Sequence, residues 1–257
     1  MTSAAAADFL RAGDPVLVFT EGARDEEGNP IEPAPWQAEV LRGKARRELI
    51  LVNRQGGKST VVGAKCAHGL MYEPGLYLII APTLRQSKLL FRKARAILRR
   101  IKGGPRIVKD NDTELELENG AQLVALPGDN DANIRGYSAP RSVYIDEAAR
   151  VSDTVYAALR PMLAASRTGQ MIALTTPYGR RGWFFECWER GGDAWERTTI
   201  TAEQCPHISA QFLEEEREGM SEWQFRSEYL CEFVDTEEAF FSSELIEAMT
   251  DPNLEAW

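Results

Sequence analysis

Cysteine is scarce, four in 257 residues, and Cys66, Cys187, Cys205 and Cys231 stand far apart with no CxxC pair. That spacing builds neither a disulfide framework nor a metal cage, and it suits a reducing cytoplasm. Long hydrophobic runs are also missing: stretches such as Leu76–Pro82 fall far short of the roughly 20 apolar residues a membrane span needs. Met1–Phe9 has no basic start and no apolar run, so it does not read as a secretion signal. No internal repeat is found, and the composition excludes collagen, coiled-coil and disordered classes. What is present, 44% hydrophobic and 27% charged residues, is enough for one large α/β core, or a core with a small appended subdomain.

Charge is unevenly placed. The net value is −9, yet residues 201–257 hold 15 acidic and 2 basic residues, leaving the first 200 with 24 acidic and 28 basic. Such asymmetry predicts two units with different surfaces. Acids are wholly absent between Arg85 and Lys109, where ten Lys/Arg are gathered. A net-acidic protein can still hold a polyanion when its positive charge lies on one face.

The first 35 residues, rich in Ala, Gly, Pro and acids, read as an irregular arm. Beyond Glu48, short apolar runs recur: Leu49–Val52, Leu76–Ile80, Ala121–Leu126, Ser142–Ile145 and Met171–Leu174. Runs of this length that do not alternate are what strands buried on both faces of a parallel sheet require. Helical stretches separate several of them, at Lys58–Leu70, Gln86–Ile101 and Asp153–Leu163, which argues for βαβ units. Glu-rich helical spacing follows around Ala210–Gly219, Ser221–Cys231 and Ser243–Met249.

The segment Asn53-Arg-Gln-Gly-Gly-Lys-Ser-Thr60 follows the first strand and opens a helix. Glycines there let backbone N–H groups approach phosphates, and the helix N-terminus adds its positive end. Lys58 would reach the β/γ oxygens and Ser59 would complete a Mg2+ shell. The usual pattern GxxxxGK[ST] needs a glycine where this chain has Val52. Ser142–Glu147 is an apolar strand ending in two acids, and carboxylates at the C-terminal end of a parallel strand point into the ligand crevice. Asp146 can serve the magnesium, and Glu147 can polarise an attacking water as general base. Met171–Pro177 is a further strand ending in two hydroxyls and a proline, able to sense the γ-phosphate, though an ordinary turn has the same look. Upstream, Pro33-Ala-Pro-Trp-Gln37 supplies a Gln amide that can pair with an adenine edge.

PxxWQ, RQGGKS without its first glycine, hydrophobic-DE and TTP, in that order, resemble the ATPase domain of the large terminase subunit of tailed bacteriophages, from about Trp36 to Phe241. The resemblance implies a P-loop NTPase fold of the ASCE/RecA-like kind, with a central mostly parallel sheet flanked by helices and a small helical C-terminal lid. It implies an ATP- and Mg2+-dependent ATPase that translocates double-stranded DNA into the procapsid. On it, Gln37 reads adenine, and Arg54, Gln55, Gly56, Gly57, Lys58, Ser59 and Thr60 form the Walker A loop. Asp146 and Glu147 are Walker B, with Ser59 and Asp146 on the metal, and Thr175, Thr176 and Pro177 the coupling motif. Arg135, in Asn133-Ile-Arg-Gly-Tyr137, corresponds to the arginine finger acting on a neighbour's nucleotide, with Arg141 and Arg54 as rivals. The implied partners are DNA, a portal protein and a small terminase subunit. The expected setting is a homo-oligomeric ring at the portal vertex in the host cytoplasm, with no membrane contact; the isolated domain can be a monomer.

The boundaries expected are 1–200 for the ATPase core and 201–257 for an acidic lid leading to a linker, with the family's nuclease domain absent and no nuclease activity. Two alternatives stay open at this point: a helicase-like ATPase acting on nucleic acid outside packaging, and a nucleotide-binding assembly switch. The basic helix presents Arg85, Lys88, Arg92, Arg95, Arg99 and Lys102 within a sector of about 100°. Lys93 and Arg100 lie off that stripe. A solvated face explains this as well as DNA contact does; the DNA candidates are Arg95, Arg99, Arg100, Lys102 and Arg106.

Overall fold

The computed structural model describes residues 3–234. Eight strands form one sheet: β1 (Arg47–Val52), β2 (Leu76–Ala81), β3 (Ile107–Asp110), β4 (Glu114–Leu117), β5 (Gln122–Pro127), β6 (Ser142–Asp146), β7 (Gln170–Thr175) and β8 (Glu196–Ile200). Their order is β3-β4-β5-β2-β6-β7-β1-β8. From β5 to β8 every pairing is parallel, and β3 and β4 add an antiparallel edge. The helices are α1 (Ser3–Gly13), α2 (Pro15–Gly22), α3 (Pro35–Arg42), α4 (Lys58–Tyr72), α5 (Leu84–Arg100), α6 (Asp153–Ala164), α7 (Gly182–Arg190), α8 (Ala210–Gly219) and α9 (Glu222–Glu228).

Period-2 alternation within continuously apolar strands makes two cores. Ile50 and Val52 of β1, Tyr77 and Ile79 of β2, and Ile172 and Leu174 of β7 join α2, α3, α4 and α5 on one side of the sheet. Leu49, Leu51, Leu78, Ile80, Met171 and Ala173 face the other way, onto α6 and α7. The five runs read from the sequence are thus β1, β2, β5, β6 and β7. β3, β4 and β8 escape that reading because they are short elements at or next to the sheet's edges, with charged residues on the less buried face.

The irregular arm expected over the first 35 residues is corrected. α2 starts on Asp14, whose carboxylate caps Val16 N, followed by Pro15 in the first turn. It buries Val18 and Phe19 completely in the core shared with α4 and α5. α1 lies over this layer: Arg11 pairs with Glu21 and donates to the Lys102 carbonyl.

Residues after β8 form a strap across the sheet edge where the parallel strands end. Ala202, Phe225 and Tyr229 make a small cluster with Phe212, Leu213 and Met220. Ala202 N donates to the Tyr229 carbonyl, Arg54 N to the Glu228 carbonyl, and the Ser227 hydroxyl to the Pro177 carbonyl at 3.0 Å. Cys231 is buried in the α6/α7 core. α8 and α9 coincide with the first two Glu-rich stretches; the third, Ser243–Met249, lies outside the described residues.

Candidate active site

Parallel strands deliver their C-terminal ends to one edge, and there β1, β7 and β6 lie side by side. Register sets Leu51 opposite Thr175 and Leu174 opposite Asp146. The phosphate loop leaves β1 through Asn53, which is fully buried and donates from Nδ2 to the Ile200 carbonyl (3.2 Å) and to Cys205 Sγ (3.0 Å). The loop turns through left-handed Gln55 (φ 61°) and Gly57 (φ 87°) into α4. Val52, the departure from the usual glycine, has its room opposite Gly56: a Cβ there would stand 2.7 Å from Val52 Cγ1. A Cβ on Gly57 would meet Gln37 Nε2 at 2.8 Å. Gly56 is thus boxed in by Val52 and Asn53, Gly57 is favoured by its left-handed φ, and the Gln37 amide lies against the loop. Its Oε1 accepts from Ala34 N at 2.9 Å, which fixes the amide at the start of α3.

Lys58 Nζ lies 2.8 Å from Glu147 Oε1, the two side chains 15% and 22% exposed. Glu147 itself sits in the left-handed region at φ 50°, a strained place for this residue at the end of a strand. Asp146, 8% exposed, accepts from Glu147 N at 3.1 Å. Burial, aided by the adjacent Glu147 charge and opposed by Lys58, pushes the Asp146 carboxyl up to about 6 from an ordinary 3.8. Ser59, Thr60, Asp146 and Glu147 line one cavity of about 670 Å3. A hydroxyl at the helix start and a buried carboxylate, facing the same space, fit the magnesium ion expected here. Thr175 is fully buried with its Oγ1 donating to the Thr176 carbonyl at 2.7 Å.

Asp146→Asn should separate that burial from metal binding. Between about pH 4 and 6 the folded chain holds a proton at Asp146 that the unfolded chain releases, so this group's contribution to stability falls as pH rises through that window. Without Mg2+, the asparagine variant is expected to be more stable than the parent by about 3 kcal/mol at pH 8 and no more stable near pH 4. Urea unfolding in EDTA at the two pH values measures this. An equal difference at both would exclude the buried charge as its cause.

The arginine candidates separate. Arg141 stands before the first residue of β6, at the opposite end of that strand from Asp146, and pairs with Glu73. It therefore stands at the sheet edge away from this chain's own Asp146 and Glu147. Arg54 is in the loop, 3.9 Å from Glu228 on α9. Arg135 is 69% exposed, paired to Asp131 at 2.6 Å, and does not line the cavity of Asp146 and Glu147.

The basic helix α5 is less bare than its sequence. Arg95 and Arg99 both pair with Asp110 of β3, Lys88 with Asp112, and Arg106 with Glu118. Arg100 donates to the Gly22 carbonyl at 3.2 Å, and Lys102 accepts through its carbonyl from Arg11. Three of the six stripe cations, Lys88, Arg95 and Arg99, are thus paired to acids of the β3–β4 hairpin. Lys93, off the stripe, turns instead to the site and donates to Thr60 Oγ1 at 3.1 Å. Sequence reasoning passes over it; its position on the α5 wheel beside Gln86, Leu89 and Ala96 is the available signal.

With this geometry in place, the likenesses to known proteins are coherent. The family model described as terminase large subunit, T4likevirus-type, N-terminal, matches residues 49–248. The terminase large subunit of Thermus phage G20c is 26% identical over 252 residues, covering 82% of this chain and 50% of that protein. The chain therefore spans about half the length of the curated relatives it matches. Among solved structures, the large terminase ATPase domain of Thermus phage P74-26 superposes with a TM-score of 0.69 at 24% identity, covering 79% of this chain and 94% of that one. The large terminase of a second thermophilic bacteriophage, in complex with ADP, gives 0.63 at 12% identity, covering 79% and 54%. These two place the fold.

Proposed function

We propose, taking as premise that this chain belongs to the family of T4-like-virus-type terminase large subunits through their N-terminal domain, that it is the ATP-hydrolysing motor domain that drives double-stranded DNA into a procapsid. The observation that carries this reading is the convergence of Ser59, Asp146 and Glu147 on one cavity at the C-terminal edge of the sheet, with Lys58 paired to Glu147 at 2.8 Å. That one of the structurally similar large terminases is a complex with ADP supports nucleotide as the ligand. In this reading the loop amides from Gln55 to Thr60 cradle the triphosphate, and Gln37, already against Gly57, meets the adenine.

Lys58 leaves Glu147 for the phosphate oxygens, and Glu147, so released, orients water and takes its proton. Ser59 and Asp146 would hold Mg2+, which when bound offsets charge developing on the phosphates. Arg135, exposed and outside the chain's own cavity, completes a neighbour's site; Arg54 is the candidate in cis. Thr175, Thr176 and Pro177 communicate with the lid through the Ser227 hydrogen bond to Pro177. The core spans 1–200 and the lid begins at 201, the part of it after 234 lying outside the described residues; the working form is a ring on DNA with the portal protein and the small subunit, at the portal vertex in the host cell.

The test is steady-state ATP hydrolysis across a series of chain concentrations. Turnover per subunit should rise with concentration in the parent, and Arg135→Ala should flatten that rise to the low-concentration value. Full loss of activity in Arg135→Ala of a proven monomer would contradict action in trans. Hydrolysis absent at every concentration would sink the motor reading of the isolated chain.

A further inference from the structure

The cavity containing Asp146 and Glu147 extends beyond them, and its further wall is one face of α5 with the end of α2. Gln86, Leu89, Lys93, Ala96 and Arg100 follow one another there at steps of three and four residues, the spacing of a helix face. Arg92 and Arg24 line the same space. On the outer side of α5, Arg95 and Arg99 are tied to Asp110. Lys93 and Arg100 instead contact neutral groups, the Thr60 hydroxyl and the Gly22 carbonyl, so among the described residues no salt bridge cancels their charges. The acids facing them are Asp146 and Glu147 in the cavity, and Glu26, whose charge also acts on Lys93. Glu147 is itself engaged by Lys58.

Cations left without a salt bridge in a concave site are what an oxyanion requires. Leu89, Leu90 and Ile97 between them offer no hydrogen bond, so an anion in this space has the cations as its partners. Arg100 lies seven residues beyond Lys93, about 10 Å along the helix axis. The chemistry proposed for the neighbouring site produces one such anion per turnover.

We propose that this cleft is a phosphate-binding vestibule in which Lys93, beside Thr60, and then Arg100 receive the inorganic phosphate released by hydrolysis and lead it outward along α5. This rests on the ATPase reading and adds to it a second anion site, distinct from the phosphate loop.

The experiment is calorimetric titration of orthophosphate into the ADP-loaded full chain at constant ionic strength. Relative to the parent, Lys93→Ala should weaken phosphate binding about tenfold and Arg100→Ala about fivefold, the loss of one charge-assisted hydrogen bond each. Lys93→Arg should restore it to within about threefold, and ADP affinity should stay within about twofold throughout. A phosphate resting where the γ-phosphate sits would feel the loss of Lys93 and not that of Arg100. Loss in Lys93→Ala alone, or unchanged binding in both, overturns the proposal. Failure of the parent to bind ADP would count against the ATPase reading, and the same titration of the nucleotide-free chain would still decide the cleft.

Discussion

Replacing Lys58 with alanine is expected to lower ATP hydrolysis about a thousandfold, the scale seen when one preorganised donor is removed from a developing oxyanion. The loop would survive the change. Its shape is set by Asn53 on Ile200 and Cys205, by Gly56 against Val52 and by Gly57 against Gln37, none of which involves the lysine. What disappears is a compact charge at the start of α4, and arginine should not replace it, because its planar fork cannot act as a point donor in the same space. Phosphate release and titration with a fluorescent ATP analogue, run together, check this. Turnover within tenfold of the parent would remove Lys58 from the mechanism.

Glu147→Gln is the second large effect. Hydrolysis should fall about a thousandfold, in the middle of the range for a lost general base. Nucleotide affinity should move the other way and rise about threefold, since the parent must break the 2.8 Å Lys58–Glu147 pair to bind phosphate and such partly exposed pairs contribute up to about 1 kcal/mol. Glutamine keeps length and shape at the left-handed position, so the variant isolates the carboxylate. Weaker ATP binding would mean that the ion pair organises the site and does not compete with the ligand. Undiminished hydrolysis would place the base elsewhere.

The sheet is legible in the sequence because strands covered on both faces have no polar positions to blur them: Leu49–Val52 and Ser142–Ile145 can be read as they stand. Chemistry at the strand ends follows, since parallel strands put Lys58 and Glu147 at one edge whatever the rest of the fold does. Edges and partners are not legible. β8, Glu196–Ile200, is polar outside and needs β1 as its neighbour to exist. Whether Arg95 is paired depends on Asp110, fifteen residues on, being folded back beside it. Arg141 and Asp146 are five residues apart in sequence and at opposite ends of β6, a distinction that exists only once the strand's limits are fixed. Lys93 is hidden by its neighbours: in a run of ten cations, which one turns inward is decided by where α4 and the β6 end lie.

The strap after β8 also carries a clock. Cys205 and Cys231 are reduced, buried thiols on that strap, one accepting from Asn53 and the other donating to the Ile200 carbonyl at 3.2 Å. Burial holds both thiols in the protonated, unreactive form, Cys231 pushed up to about 12. An alkylating reagent reaches them only in molecules whose strap has let go of the phosphate-loop edge. Where alkylation outpaces reclosing, the labelling rate becomes the opening rate of that edge, readable by mass spectrometry in each nucleotide state without adding a probe to the protein.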